Sequence, residues 1–463
     1  MTAFQDGKGL ATAEKHYSHY GARAKELKAE GKKIIGYLSA LCPVEIMTAA
    51  GVVPIRMVGN VSESITKGDA YMETIVCPFV RNVFDSAIKG RYTFLDGMVL
   101  PHQCDSIDRT NDVWRDNLKL PYWHFINFPH VTDDPSIEFT KEILRLFINT
   151  LEDFTGKKIS DETIAQAIKL HNENRRLMRD LYDLRKSNPP LISGAEMMKV
   201  LVAAMSLPVE ESSALIKDVI EEIKKRSPVS PGKSARIMLI GDQVDDVAII
   251  EAIEGTGASV VMDELSIGAK MYWEDVDITP DPVQGIAERY LRKLKIPTTF
   301  VGEGNTYQEN LDARFGQIKQ HISEFKVNGA ILFIYKYCDP YGFEVPAMKS
   351  YILSQTATPA VPLIEKKLKN AAFVLQLDSR QIFAWSDIIL SDKDFNEVLI
   401  GVHVPDSGKS CAPDRWHLET YRLLTDEIRL GLQSIENQRK IIFKEKSEAT
   451  ISLSRNLGHD LTN

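Results

Sequence analysis

The sequence predicts an α/β chain: two Rossmann/flavodoxin-like parallel-sheet domains, a helical insert between them and a long C-terminal helix. Three observations lead there. The 463 residues are too many for one ordinary core. Two separate stretches alternate short apolar runs with helical patterns, the rhythm of a parallel sheet with helical crossovers. The residues between those stretches, and those at the end, read as helix alone. The expected divisions are an N-terminal α/β domain with a short leading helix over residues 1–135, a helical segment and linker over 136–234, a second α/β domain over 235–400 and a helical extension over 401–463.

Residues 11 to about 33 read as a charged helix, and KKIIGYLSA supplies the first buried strand. PVEIMTAAG places apolar residues at helical spacing between Pro43 and Gly51, residues that favour a helix start and stop, and VVPIRMVG is the next strand. YMETIVCPFVRNVFDSAIKG and FLDGMVLPHQCDSIDR repeat the pattern, with Cys77 and Cys104 at strand carboxyl ends. From SIEFTKEILRLFINTLEDFTG to EESSALIKDVIEEIKKRS the chain is helical, and SPVSPGKS is a linker. ARIMLIGD restarts the α/β rhythm, followed by VDDVAIIEAIEGTG, ASVVMDEL, AERYLRKL and NGAILFIYKYCDPYG, in which Cys338 again follows an apolar strand. From about residue 414 one long helix carries Trp416, Leu424, Ile428, Leu432, Ile435 and Ile442 at helical intervals, as a coiled coil or helical hairpin would.

The net charge of −8 offers no basic face for nucleic acid or an anionic membrane surface. The first 33 residues are polar with no secretory core, and no stretch approaches the ~20 apolar residues of a membrane span. A cytoplasmic protein without nucleic-acid or membrane partners is expected. The five cysteines, Cys42, Cys77, Cys104, Cys338 and Cys411, contain no C-x-x-C pair, so a secreted disulfide framework is not expected and reduced thiols are available as ligands.

Cys77, Cys104 and Cys338 occupy one kind of position in two α/β units, at the strand edge where ligands bind in open sheets. Three thiolates on such loops can ligate three irons of a [4Fe-4S] cluster and leave the fourth iron open. Residue types alone also allow each Cys to be a small buried apolar residue. A zinc site is the third reading, against which stand the dispersed positions.

The segments GYLSALCPVEIMTAAGVVPIRM, GDAYMETIVCPFVRNVFDSAIKG, FLDGMVLPHQCDSIDR, ISDETIAQAIKLHNENRRLMRDLYDLR, MDELSIGAKMYWEDV and KYCDPYGFEVP resemble the 2-hydroxyacyl-CoA dehydratase and benzoyl-CoA reductase subunit family over roughly residues 30 to 385, and within it the smaller cluster-carrying reductase subunit. The resemblance implies that Cys77, Cys104 and Cys338 hold a [4Fe-4S] cluster, with Cys42 a candidate fourth ligand. It also implies an acyl-CoA substrate, a second homologous subunit or a homodimer, and a separate ATP-dependent iron–sulfur activator protein. No GxGxxG or Walker A sequence is present, so no nucleotide is expected on this chain.

The same resemblance brings other residues to the site. Glu45 belongs to the segment that forms its wall and would serve in proton transfer if burial raised its pKa; the alternative is a solvated helix carboxylate. Arg56, on the strand beyond, is a candidate for binding the cofactor or substrate. His102, two residues before Cys104, would hydrogen-bond the cluster or shuttle a proton, or be an ordinary loop histidine. QLDSRQIFAW resembles the family's C-terminal motif, with Ser379 and Arg380 in place, and makes Arg380 a candidate for cofactor binding, although the preceding IEKKLKNAAFVL departs from the usual acidic, turn-rich approach.

The chain ends EKSEATISLSRNLGHDLTN, which resembles the phosphoacceptor box of a histidine kinase: His459 as acceptor, Asp460 beside it and Asn463 one helical turn on. A kinase needs an ATP-binding domain after this box, so the sequence reads as stopping in mid-domain. Two functions therefore compete: a dehydratase or reductase subunit, and a cluster- or acyl-CoA-sensing domain fused to a histidine kinase.

Overall fold

The computed structural model describes residues 9–226, 235–255, 257–300, 306–356, 358, 360–365, 377–378 and 381–382. Ser379, Arg380, Cys411 and the tail with His459, Asp460 and Asn463 lie outside the described residues. All described elements belong to one compact unit, residues 1–369 with 373–385.

Two parallel four-stranded sheets organise that unit, as the α/β reading predicts. The first uses β1 (Ile34–Tyr37), β2 (Val53–Arg56), β3 (Gly97–Pro101) and β4 (Tyr122–Ile126) in the order β2-β1-β3-β4. The second uses β5 (Arg236–Gly241), β6 (Ser259–Glu264), β7 (Gly329–Tyr335) and β8 (Ala360–Glu365) in the order β6-β5-β7-β8. Strands covered on both faces must be apolar at nearly every position, and β1, β3, β5, β6 and β7 are buried throughout. Successive side chains point to opposite faces, so Ile34 and Met98 join one apolar core while Ile35 and Val99 join another. The first core is continuous under both sheets and includes Ile237, Leu239 and Ile331. Fully burying each such aliphatic side chain is worth about 1.5–3 kcal/mol.

The leading helix differs from expectation. It is two helices, α1 (Gly9–Ser18) and α2 (Ala22–Ala29), because Gly21 turns the chain with φ 83°. A Cβ there would also lie 2.7 Å from the Phe94 ring. Short helices α3 (Val44–Ala49), α4 (Pro78–Ile88) and α5 (Asp105–Leu118) cross between the strands of the first sheet. Four helices follow in succession: α6 (Asp134–Thr155), α7 (Asp161–Asp183), α8 (Gly194–Ala204) and α9 (Val209–Ile223). Oxygen side chains cap three of them, Asp133 on α6, Ser160 on α7 and Ser193 on α8, where Glu196 completes a capping box. Helix α1 packs on α8 and α9, so the N-terminal residues cover part of this helical layer. The second sheet is crossed by α10 (Ala248–Glu254), α11 (Ala269–Tyr272), α12 (Pro282–Glu288), α13 (Tyr307–Glu324) and α14 (Asp339–Thr356).

Candidate functional site

In each sheet the connections from the two central strands leave in opposite directions: β1 toward β2 and β3 toward β4, β5 toward β6 and β7 toward β8. That reversal opens a crevice at the strand carboxyl ends. The chain delivers Ser39 and Gln103 to the first crevice, from beyond β1 and β3. It delivers Asp242 and Cys338 to the second, from beyond β5 and β7.

Hydrogen bonds join the two crevices. Ser39 Oγ donates to Gln103 Oε1. Gln103 Nε2 donates across to Asp242, 3.2 Å to Oδ2 and 3.4 Å to Oδ1. Asp242 Oδ1 also accepts from Ser266 Oγ and from Gln243 Nε2 at 3.2 Å. Gln243 Oε1 in turn accepts from Arg56 Nη2 at 2.5 Å. One network thus runs from the ends of β1, β2 and β3 to those of β5 and β6. It was not foreseen from the sequence. These residues follow apolar runs as plain polar side chains, and only the hydrogen bonds between the two sheets' loops bring both crevices together.

Cys104 follows Gln103 of this network directly, and Cys77, Cys104 and Cys338 each stand at the start of a helix. Cys77 and Cys104 occupy the N-cap positions of α4 and α5, and Cys338 immediately precedes α14. Helix N-termini carry unpaired amides and partial positive charge, which favour thiolate. No strand precedes Cys77, contrary to the strand-end expectation. Asp85 Oδ1 holds that loop by accepting from the amides of Thr66, Lys67 and Gly68 at 2.7–2.9 Å, and Arg81 Nε donates to Val76 O at 3.0 Å. The Cys77 amide donates to Ser106 Oγ at 3.4 Å, tying the loop to the first turn of α5. Before Cys338 the chain turns through Tyr337 at φ 70°, a strained conformation for a bulky residue, of order 1–3 kcal/mol.

The three thiols feel one another electrostatically. Burial pushes Cys77 up to about 11 and Cys104 up to about 12, with Cys77 adding to the rise at Cys104. Cys338 is raised well above its ordinary value by burial and then by Cys77. First-turn amides of Phe79 and Val80 oppose the shift at Cys77, and those of Ser106 and Ile107 oppose it at Cys104. All three cysteines are partly exposed. Among the described residues no three His, Cys, Asp or Glu groups are placed to hold one metal ion. The donor set suits a multi-iron cluster, in which each thiolate takes a different iron. Metal binding would release the protons that burial holds on the sulfurs.

The other residues named from the sequence fall elsewhere. Cys42, the candidate fourth ligand, is fully buried, its Sγ 3.6 Å from Met47 Sδ, in the second apolar core rather than with the three thiols. Glu45 is neither solvated nor raised: its carboxylate pairs with Arg175 and accepts from Tyr290 OH at 2.9 Å. Burial works to raise its pKa, but Arg175, His171 and Arg289 hold it down at about 2. It therefore stays ionised, and its partner Arg175 lines a small cavity together with Val44 and His171. Arg56 is fully buried, its guanidinium over the Tyr37 ring and its Nε without a hydrogen-bond partner. His102 Nδ1 lies 2.9 Å from Asn127 Oδ1, and its ring packs 4.6 Å from that of His130.

The 2-hydroxyglutaryl-CoA dehydratase D-component family matches residues 40–364, and this chain belongs to that family. Individual relatives match over most of their own length. The chain is 26% identical over 352 residues to the (R)-phenyllactyl-CoA dehydratase beta subunit of Clostridium sporogenes, a match that covers 75% of this chain and 88% of the relative. It is 26% identical over 367 residues to a subunit of the benzoyl-CoA reductase of Thauera aromatica, with 77% and 91% covered. With the beta subunit of (R)-2-hydroxyglutaryl-CoA dehydratase from Acidaminococcus fermentans the figures are 23% over 325 residues, 70% and 84%.

Proposed function

We propose that this chain is the cluster-carrying subunit of a 2-hydroxyacyl-CoA dehydratase or aroyl-CoA reductase, with Cys77, Cys104 and Cys338 each binding one iron of a [4Fe-4S] cluster. The observation that supports it most is that three thiols at three helix starts, on loops of both sheets, lie close enough to act on one another electrostatically. When bound, the cluster supplies an iron open to an oxygen ligand and single electrons of low potential. The protein's own part is to hold the thiolates at fixed positions, to present Gln103 and Asp242 as polar neighbours and to keep the surroundings dry with its buried strands.

The substrate in this reading is an acyl-CoA, as the relatives' names indicate. Each of those names denotes one subunit of an enzyme, which supports a partner subunit here. ATP would be hydrolysed by a separate iron–sulfur activator. No helix among the described residues is long and apolar enough to cross a membrane, and the need for reduced thiols favours the cytoplasm.

Anaerobic purification tests this directly. Wild type should carry about four irons per chain; iron-free, zinc-containing protein would overturn the reading. Cys77→Ala, Cys104→Ala and Cys338→Ala should each lose iron, whereas Cys42→Ala should keep it.

The sequence NLGHDLTN favours a second reading, in which the cluster domain senses redox state or an acyl-CoA and signals through His459. Incubation with a histidine kinase catalytic domain and labelled ATP should mark wild type and spare His459→Ala. Label that persists in the variant removes this alternative.

A further inference from the structure

Asp242 stands where the two crevices meet, directly beyond β5. Its neighbour strand β7 leads to Cys338, and its partner Gln103 precedes Cys104, whose helix is tied to Cys77 through Ser106. Its carboxylate is held in place from three sides, by Gln103 at 3.2 Å, by Gln243 at 3.2 Å and by Ser266. Gln103 is itself the residue before Cys104, and its carbonyl accepts from Thr298 Oγ1 at 2.6 Å, so neither end of that contact is free to swing away. The nearby guanidinium of Arg56 tempers this charge without cancelling it. Among the described residues Arg56 forms no salt bridge; Gln243 stands between it and Asp242.

A fixed negative charge beside three thiolates is costly in a medium of low dielectric constant, and it repels a further electron. Net local charge and hydrogen bonding are the principal levers on the potential of an iron–sulfur cluster. We propose that Asp242 is a positioning residue that makes the bound cluster more reducing: its charge, oriented by Gln103, Gln243 and Ser266, opposes the uptake of one electron at the irons held by Cys77, Cys104 and Cys338. No bond forms or breaks in that uptake; the electron comes from the external reductant. The inference rests on the reading that these cysteines hold a cluster.

The test is a redox titration of the full chain, purified anaerobically, with iron assayed first and the reduced cluster followed by electron paramagnetic resonance. Asp242→Asn keeps the size of the side chain and an oxygen for Gln103 and Ser266, but not the charge. With iron at the wild-type level, its midpoint should move to more positive potential. Glu254→Gln is the charge-matched control, since that carboxylate binds the first-turn amide of α8 at 2.7 Å; its midpoint should match wild type. An unchanged midpoint in Asp242→Asn, or an equal shift in Glu254→Gln, overturns the inference and leaves the cluster reading standing. An iron-free wild type overturns both. If Asp242→Asn loses its iron, Ser266→Ala decides, titrated at alkaline pH above the range in which Asp242 takes up a proton: withdrawing that hydroxyl leaves the carboxylate less neutralised and should move the midpoint negative, and no movement overturns the inference.

Discussion

Glu45 and Arg175 form an ion pair in which neither side chain has more than 4% of its surface exposed. Tyr290 donates to the second carboxylate oxygen at 2.9 Å, and Asn172 accepts from Arg175 Nη1 at 2.8 Å. The pair therefore joins α3, just after the loop that follows β1, to α7 and to the turn after α12. It fastens the first sheet to the helical layer.

Breaking such a pair from one side should be far more damaging than removing it whole. Arg175→Met leaves Glu45 buried without its hydrogen-bonded cation, and a loss of about 3–5 kcal/mol is expected. The double variant Glu45→Gln, Arg175→Met should recover part of that loss. Anaerobic denaturant unfolding measures both. A single variant within about 1 kcal/mol of wild type would show that the pair does not bear on stability.

The same pair sets a pH dependence. Glu45 sits at about 2 in the folded chain, below its ordinary 4.5, so the folded state favours its ionised form. Stability from this group is fully present above pH 4.5 and is lost as pH falls from there toward 2. At neutral pH the contribution is on the order of 3 kcal/mol. Glu45→Gln should flatten the stability profile across that acid window, read from unfolding midpoints at stepped pH. A wild-type profile that is already flat there contradicts the assignment.

Gly241 explains how closely β5 and β7 approach at the mouth of the site. A Cβ at this position would lie 2.4 Å from Phe333 O, a backbone atom that cannot move aside without disturbing the ladder. Gly241→Ala should destabilise the chain by about 1–3 kcal/mol through this overpacking. Because β7, the strand pushed aside, leads to Cys338, iron content should fall together with the unfolding midpoint. Wild-type values for both would mean that the strands separate freely.

The α/β class and the parallel strands were legible because each has a local signature, apolar runs and helix punctuation; the strand expected before Cys77 was not there, since its loop is held by Asp85 and Arg81 from the following helix. The pairing of Glu45 with Arg175 was not legible, since 130 residues separate the two and nothing near Glu45 announces a cation. The sequence also passes over the break at Gly21, because a charged helix on either side keeps the same composition. Asp242 illustrates the limit most clearly. In the sequence it is one acid after a strand; only the order β6-β5-β7-β8 puts it at a reversal, and only packing brings that reversal to Gln103.

Arg56 offers a prediction of opposite sign to that for Asp242. It is a fully buried cation whose Nη2 binds Gln243 and whose nearest other partners are Met271 Sδ at 3.8 Å and the Tyr37 ring. Burial raises the pKa of Asp242, and the hydrogen bond from Ser266 and the positive charge of Arg56 work against that rise. Two effects follow from Arg56→Met. Removing a positive charge from the surroundings makes electron uptake harder, which moves the cluster midpoint negative. Less ionisation of Asp242 moves it positive, but only in the pH range where that carboxyl titrates. Above that range the first effect acts alone, so at alkaline pH the variant should have a more negative midpoint than wild type. Stability should change little, since Met fills similar volume and no carboxylate is left without its partner. A more positive midpoint at alkaline pH, with full iron content, would show that Arg56 does not act on the site through its charge.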